Sequence, residues 1–85
     1  MNITVLTPEK ELYSGAITSV QVPGVEGKFQ ILRNHAPIVS ALSAGGVMIR
    51  RADGQLITFD IERGFVEVLN NEINLLVQGA AHYRD

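Results

Sequence analysis

The sequence has no cysteine and no tryptophan, and its formal net charge is only −2. Without cysteine, the chain can form neither disulfides nor thiolate metal sites. Its seven basic and nine acidic residues are spread along the chain, so it lacks the basic stripe that tracks a nucleic-acid backbone. Apolar runs such as residues 47–49 are far shorter than the ~20 residues that a membrane helix needs. Met1 leads directly into a strand-like pattern, so we expect a soluble, untargeted protein.

Hydrophobic residues, by contrast, make up 46% of the 85 residues. A chain of this length forms one domain around one core, which we expect to span residues 1–85. The hydrophobic share is high for so short a domain. It therefore hints that a partner covers part of the apolar surface.

Short segments rich in Val, Ile, Thr and Phe alternate with Gly, Pro, Asn and Asp. This punctuation predicts an all-β sandwich or barrel, and no helix is indicated. The predicted strands cover residues 2–7, 12–14, 16–22, 27–32, 38–42, 46–52, 55–60, 64–69 and 73–78. Residues 78–85 look like a chain leaving the sheet.

Two turns and the alternation of side chains predict how the strands pair. Asp53-Gly54 suits a two-residue hairpin turn, and Asn70-Asn71 suits another because Asn tolerates left-handed backbone. On the core-facing side we expect Val47 and Ile49, then Phe65 and Leu69, then Ile73, Leu75 and Val77. Met48, Val66, Val68 and Leu76 then fall on the solvent side. Edge crowding, a second small core or contact with another protein would each explain them.

Candidate catalytic and ligand-binding groups form no recognised pattern. No serine lies in a nucleophile elbow, and the two histidines, His35 and His82, match no compact metal-ligand spacing. Asp60 and Glu62 share a face of an extended chain, as solvated residues at a strand end also do. Residues 24–27 lack the Lys-Ser/Thr and helix of a phosphate loop. We therefore predict no catalytic residue, no metal and no cofactor.

The segment from Asn34 to Pro37 is the most distinctive part of the sequence. Pro37 fixes its own φ and favours extended backbone at Ala36, while Asn34 can take a left-handed conformation. These preferences predict a rigid corner between two strands. His35 either holds that corner through a hydrogen bond to a backbone carbonyl or contacts a partner, and the two roles are compatible.

Residues 22–39, VPGVEGKFQILRNHAPIV, resemble the signature of the epsilon subunits of F-type ATP synthases. The similarity continues in residues 12–15, LYSG, in residues 45–49, GGVMI, and in residues 64–68, GFVEV. This resemblance implies a flattened antiparallel β-sandwich of about ten short strands. It also implies a non-catalytic subunit of the central stalk that links the gamma subunit to the c-ring in ATP synthesis coupled to proton transport.

The resemblance also implies where those partners bind. Gamma would contact His35, Ala36, Pro37 and Ile38, and the c-ring would contact Glu26, Gly27, Lys28 and Phe29. The family often has Gly where this chain has Gln30, Asn34 and Arg63, so we expect ordinary backbone at Gln30 and Arg63. Lys28 stands where some relatives carry an acid, which leaves charge pairing with the ring open.

The family typically continues as a C-terminal helical hairpin, which this chain lacks. We therefore expect no inhibition of ATP hydrolysis and no nucleotide binding through that hairpin. Without a transit segment, the chain suits a bacterium, where its partners would hold it at the cytoplasmic face of the inner membrane.

Two other classes of protein share some of these features. A small β-sandwich adaptor in another assembly would have the same composition. A carrier domain would present a modifiable Lys at a hairpin tip, but these tips are Asp53-Gly54 and Asn70-Asn71. An oligonucleotide-binding barrel would need stacking aromatics on a basic face, and this chain has only two Tyr and three Phe.

Overall fold

The computed structural model of the chain describes the backbone of residues 1–84 and the side chains of residues 1–81. All of the regular elements in the described residues are strands. There are nine of them, whereas the resemblance implied about ten. They are β1 (Asn2–Leu6), β2 (Glu11–Gly24), β3 (Gly27–Leu32), β4 (Ile38–Leu42), β5 (Gly45–Arg51), β6 (Leu56–Ile61), β7 (Arg63–Leu69), β8 (Glu72–Gln78) and β9 (Ala81–Arg84).

The long strand β2 joins two layers of sheet. One layer has the order β4-β7-β8-β1, and the other has the order β3-β2-β5-β6-β9. The first half of β2 pairs with β1 and its second half with β3 and β5, and its register with β5 shifts between Ile17 and Ser19. Such a bulge bends a strand, which lets β2 pass from one layer to the other. All pairings are antiparallel except β1 with β8, which is parallel. The predicted β-sandwich is thus confirmed.

The core between the layers is almost entirely aliphatic. β-Branched side chains suit a pleated, buried surface, and here they supply most of the packing. No polar side chain among the described residues is buried. The buried hydrophobic residues are Ile3, Val5, Ile17, Val20, Val22, Ile31, Leu42, Val47, Ile49, Ile57, Phe59, Ile61, Val66, Val68, Ile73, Leu75 and Val77.

Strand β7 faces the opposite way from the prediction. Val66 and Val68 are buried, whereas Phe65 is 55% exposed and Leu69 is 58% exposed. Val68 lies opposite Ile73 of β8 and Val66 lies opposite Leu75. Directly opposed residues share a face of the sheet, so the inward-facing residues of β8 draw both valines into the core. The prediction that Phe65 and Leu69 belong to the core is therefore wrong.

Both predicted hairpin turns are present, but only one of them has the predicted length of two residues. Asn70 and Asn71 have φ of 50° and 62°, and Leu69 pairs with Glu72 across them, which confirms the two-residue turn. The β5–β6 hairpin is confirmed as well, but its loop is longer. Arg51 N–H donates to the carbonyl of Gln55 at 2.8 Å, which leaves three residues, 52–54, in the loop. Of these, only Gly54 is left-handed, with φ 92°.

Two other predictions about strand ends are wrong. Residues 12–14 and 16–22 form one strand, β2, which runs unbroken through Gly15. Gly15 stays in the strand because it pairs with Ile3 in the ladder between β1 and β2. Residues 81–84 do not leave the sheet but pair with β6 as β9, since the backbone edge of β6 accepts a strand. Asp85 lies outside the described residues.

Candidate interaction surface

The outer side of the β4-β7-β8-β1 layer carries a continuous row of apolar side chains. Ala41 pairs with Phe65, Phe65 with Leu76, and Leu76 with Leu6, so the row crosses all four strands. Val39 extends it on β4 and is 73% exposed. Monomeric proteins seldom expose apolar patches that run across several strands. We call Leu6, Val39, Ala41, Phe65, Leu69 and Leu76 the apolar face.

Open grooves border the apolar face at both sides. One groove, of about 340 Å³, lies along β4 and β7 and is lined by Pro37, Ile38, Val39, Glu67, Val68 and Leu69. The other, of about 200 Å³, lies along β1 and β8 and is lined by Leu6, Thr7, Pro8, Leu76, Val77 and Gln78. Side chains from a second protein surface could enter both grooves.

The outer side of the other layer differs in chemistry. Across its strands Gln21 pairs with Gln30 and Met48, and Ser19 pairs with Arg50. Leu32, Met48 and Leu56 are exposed there, but they stand among polar neighbours. The two outer surfaces of the sandwich are therefore unequal, and the apolar one is the better candidate for a protein contact.

The predicted corner before β4 adjoins the apolar face. Asn34 is left-handed, with φ 67°, as the sequence predicts. The His35 ring donates a hydrogen bond from Nδ1 to the Ala36 carbonyl at 2.7 Å. Ala36 and Pro37 are exposed, and Pro37 lines the larger groove together with Ile38. The structure thus gives His35 a role in shaping the corner and brings Pro37 and Ile38, two of the four residues of the predicted gamma contact, to the border of the apolar face.

The four residues of the predicted c-ring contact form the tip of the β2–β3 hairpin. Gly24 pairs with Gly27, and Glu26, Gly27 and Lys28 are exposed. Phe29 is half-buried, and its ring lies over Gly24, where an added Cβ would meet Phe29 Cε1 at 2.8 Å. Phe29 therefore supports the tip from within.

The hairpin tip also reaches β4. Val25 N–H donates to the Ala41 carbonyl at 3.2 Å. A groove of about 520 Å³ separates the tip from β4 and is lined by residues 24–29 and 39–41. The tip thus stands beside one end of β4, and the His35 corner stands at the other end.

Sequence reasoning missed the largest part of this surface. The sequence predicts that Phe65 and Leu69 belong to the core, and it predicts no role for Val39 and Leu6 beyond their strands. Leu76 was placed on the solvent side, which is confirmed at 40% exposure. The run from Phe65 to Leu69 contained the signal. Phe65 and Leu69 lie on one face of the strand and Val66 and Val68 on the other, so one of these two apolar pairs must lie outside the core.

The described part of the chain shows no cluster of side chains suited to acid–base catalysis or to metal binding. Asp60 and Glu62 are both exposed, and no group of three or more acidic, His or Cys residues among the described residues could hold a metal ion. The side chain of His82 lies outside the described residues. Among the described residues, no helix is long and apolar enough to cross a membrane.

Comparison with solved structures shows the same fold. A chain of the Euglena gracilis mitochondrial ATP synthase, in a cryo-EM structure of OSCP, F1 and c-ring, superposes with a TM-score of 0.83 at 17% identity. The match covers 93% of this chain and 51% of that one. A chain in the central stalk and c-ring structure of the Tetrahymena thermophila enzyme gives a TM-score of 0.80 at 21% identity, over 94% of this chain and 64% of that one.

Relatives found by comparing sequences have a higher sequence identity to this chain than these two solved structures have. The ATP synthase epsilon chain of Leptospira borgpetersenii is 42% identical over 85 residues, which are 100% of this chain and 66% of that protein. The chain thus spans just under two thirds of that relative's length. The ATP synthase epsilon chain of Chlorobium limicola is 42% identical over 76 residues, covering 89% of this chain and 86% of that protein. Residues 1–82 match the family described as the ATP synthase delta/epsilon chain, β-sandwich domain, and the chain belongs to that family.

Proposed function

We propose that this chain is the β-sandwich part of an ATP synthase epsilon subunit, a non-catalytic component of the central stalk that links gamma to the c-ring. In this proposal gamma covers the apolar face and the adjoining corner formed by His35, Ala36, Pro37 and Ile38. The c-ring contacts the hairpin tip formed by Glu26, Gly27, Lys28 and Phe29. Held by these partners, the chain lies at the cytoplasmic face of a bacterial inner membrane.

The apolar face carries the proposal. Its four most exposed members, Val39, Leu69, Phe65 and Leu76, are between 40% and 73% exposed. Each would bury further apolar area on contact with a partner, and that burial favours association. The face continues into the corner without a break, because Pro37 and Val39 line the same groove. A single partner surface could therefore cover both.

The spacing of the two contacts suits a coupling role. The corner ends at Ile38, the first residue of β4, and the hairpin tip lies beside Ala41 and Leu42 at the other end of β4. At roughly 3.3 Å per residue, Ile38 and Leu42 are separated by about 13 Å. A packed sandwich is stiff, so it would keep that separation fixed while both partners are bound.

Calorimetric titration of the chain into the gamma subunit of the same organism tests the gamma contact. Leu76 and Leu56 provide a matched pair, since each is 40% exposed and they lie on opposite outer faces. We expect Leu76→Ala to weaken binding by about fivefold or more and Leu56→Ala to change it less than about twofold. Equal losses would overturn the apolar face as the gamma site. Failure of the folded wild-type chain to bind gamma would overturn the proposed function.

A second experiment tests the hairpin tip. Exchanging its charges in the double variant Glu26→Lys, Lys28→Glu leaves the net charge unchanged. We expect this variant to bind gamma as the wild type does and to recover less c-ring when a detergent-solubilised gamma–c-ring assembly is captured through the chain. Equal recovery of c-ring with both proteins would contradict the proposed role of the tip.

A further inference from the structure

The carboxylate of Glu67 lies in the middle of the apolar face, and that of Glu72 lies at its edge, opposite Leu69. Glu67 stands between Phe65 and Leu69 on the outer side of β7, and its cross-strand partners are Val39 and Asn74. Three of these four neighbours are exposed apolar side chains. Glu67 also lines the groove along β4 and β7, beside Val39 and Leu69.

No basic side chain among the described residues forms an ion pair with this carboxylate. Among the described side chains, Glu67 has no hydrogen bond and no ion pair. The only ion pair between described residues joins Arg51 to Asp53, in the loop between β5 and β6. The basic residue on the same strand is Arg63, whose guanidinium donates to Gln78 Oε1. Arg63 is four residues from Glu67, about 13 Å along the strand.

Water solvates Glu67 while the face is free, but a partner that covers the neighbouring apolar side chains would remove that water. An unpaired carboxylate in a dry interface opposes binding strongly. Pairing with a guanidinium or ammonium, in a charge-assisted hydrogen bond, compensates for the lost water. A partner with a purely apolar surface would therefore be rejected at this point.

We infer that Glu67 is a specificity-determining residue of the apolar face and that the partner surface covering it presents a basic side chain opposite this carboxylate. This inference rests on the proposed function, in which the partner is gamma. The apolar side chains then supply most of the buried area, and Glu67 selects a surface with a cation in the correct position.

The test compares two substitutions by calorimetric titration with gamma. Glu67→Gln keeps the shape and removes the charge, and Glu67→Met makes the position apolar. We expect the Gln variant to bind about tenfold more weakly, with less dependence on salt, and the Met variant to bind at least as weakly as the Gln variant. Asp60→Asn removes one charge from the outer side of the other layer and should bind like the wild type, which controls for net charge.

The Met variant decides the question. If it binds gamma as tightly as the wild type, or more tightly, the partner meets Glu67 with an apolar surface and the inference is overturned while the proposed function stands. If Asp60→Asn weakens binding as much as Glu67→Gln, the effect is one of overall charge and the inference is again overturned. If the folded wild type does not bind gamma, both proposals fail together. Unchanged thermal unfolding of the variants shows that each remains folded.

Discussion

Asn34 and Asn71 bind each other through two hydrogen bonds. The Asn34 backbone N–H donates to Asn71 Oδ1 at 2.6 Å, and Asn71 Nδ2 donates to Asn34 Oδ1 at 3.1 Å. Both residues are left-handed, and they are 37 residues apart in sequence. The pair joins the corner before β4 to the turn between β7 and β8. The proposed gamma contact is thereby fixed to one end of the apolar face.

Removing the Asn71 side chain should loosen the corner. In Asn71→Gly the backbone keeps its φ of 62° without strain, but both hydrogen bonds are lost. We expect stability to fall by about 1 to 2 kcal/mol in urea denaturation and the Asn34 amide to exchange faster with solvent. Asn70→Gly is the matched control in the same turn, because Asn70 also has positive φ. Equal losses in the two variants would show that the turn, rather than the side-chain pair, contributes the stability.

Two substitutions at Asn34 should separate its backbone strain from its hydrogen bonds. Both Asn34→Gly and Asn34→Ala keep the N–H donor and lose the bond from Asn71 Nδ2. Alanine, unlike glycine, is disfavoured at φ 67°, so Asn34→Ala should be less stable than Asn34→Gly by about 1 kcal/mol. Thermal unfolding measures the difference. If the two variants unfold at the same temperature, the corner does not hold residue 34 in the left-handed region.

The two faces of β7 should respond differently to truncation. Val66 is buried, so Val66→Ala should lower the free energy of unfolding by about 2 kcal/mol. Phe65→Ala removes a larger side chain that is mostly exposed, and it should lower stability less while weakening gamma binding. Chemical denaturation checks the order of the two stabilities. A larger stability loss in Phe65→Ala would contradict the orientation of the strand.

The hairpin tip should tolerate no side chain at position 24. A Cβ there would meet Phe29 Cε1 at 2.8 Å and the Gly27 carbonyl oxygen at 2.7 Å. We expect Gly24→Ala to cost about 1 to 3 kcal/mol of stability, as measured by urea denaturation. Gly46→Ala is the control, because its Cβ would meet only Asp60 Oδ1 at 3.6 Å. If Gly24→Ala lowers stability no more than Gly46→Ala does, the Phe29 ring can move away from position 24 at little cost in free energy.

Local preferences were sufficient to predict most of the strands. The left-handed residues Asn34, Asn70 and Asn71 follow from the chemistry of their own side chains. The inward faces of β5 and β8 follow from clear alternation, with Val47 and Ile49 buried as predicted. The resemblance to the epsilon family is confirmed by the family match and by the relatives.

Non-local pairing decided what the sequence left ambiguous. On β7 both faces are apolar, so a period of two could not choose between Phe65 and Val66. The choice depends on which residues of β4 and β8 lie opposite. The pairing of β9 with β6 is likewise a long-range event, because Ala81 pairs with Asp60. The apolar face depends on the same pairings, because its row is built from four strands and no single strand reveals it.

The passage of β2 through both layers has a mechanical consequence. Its second half ends at the hairpin tip, and its first half lies beside β1, which carries one edge of the apolar face. In the proposed stalk, force applied at the tip would reach the other layer by two routes, directly through the hydrogen bond from Val25 to Ala41 and along the covalent backbone of β2. Pulling β2 along its own axis loads its ladders of hydrogen bonds in shear, so that many must yield together. The bulge at Ile17–Ser19 is the point where such a load would change direction.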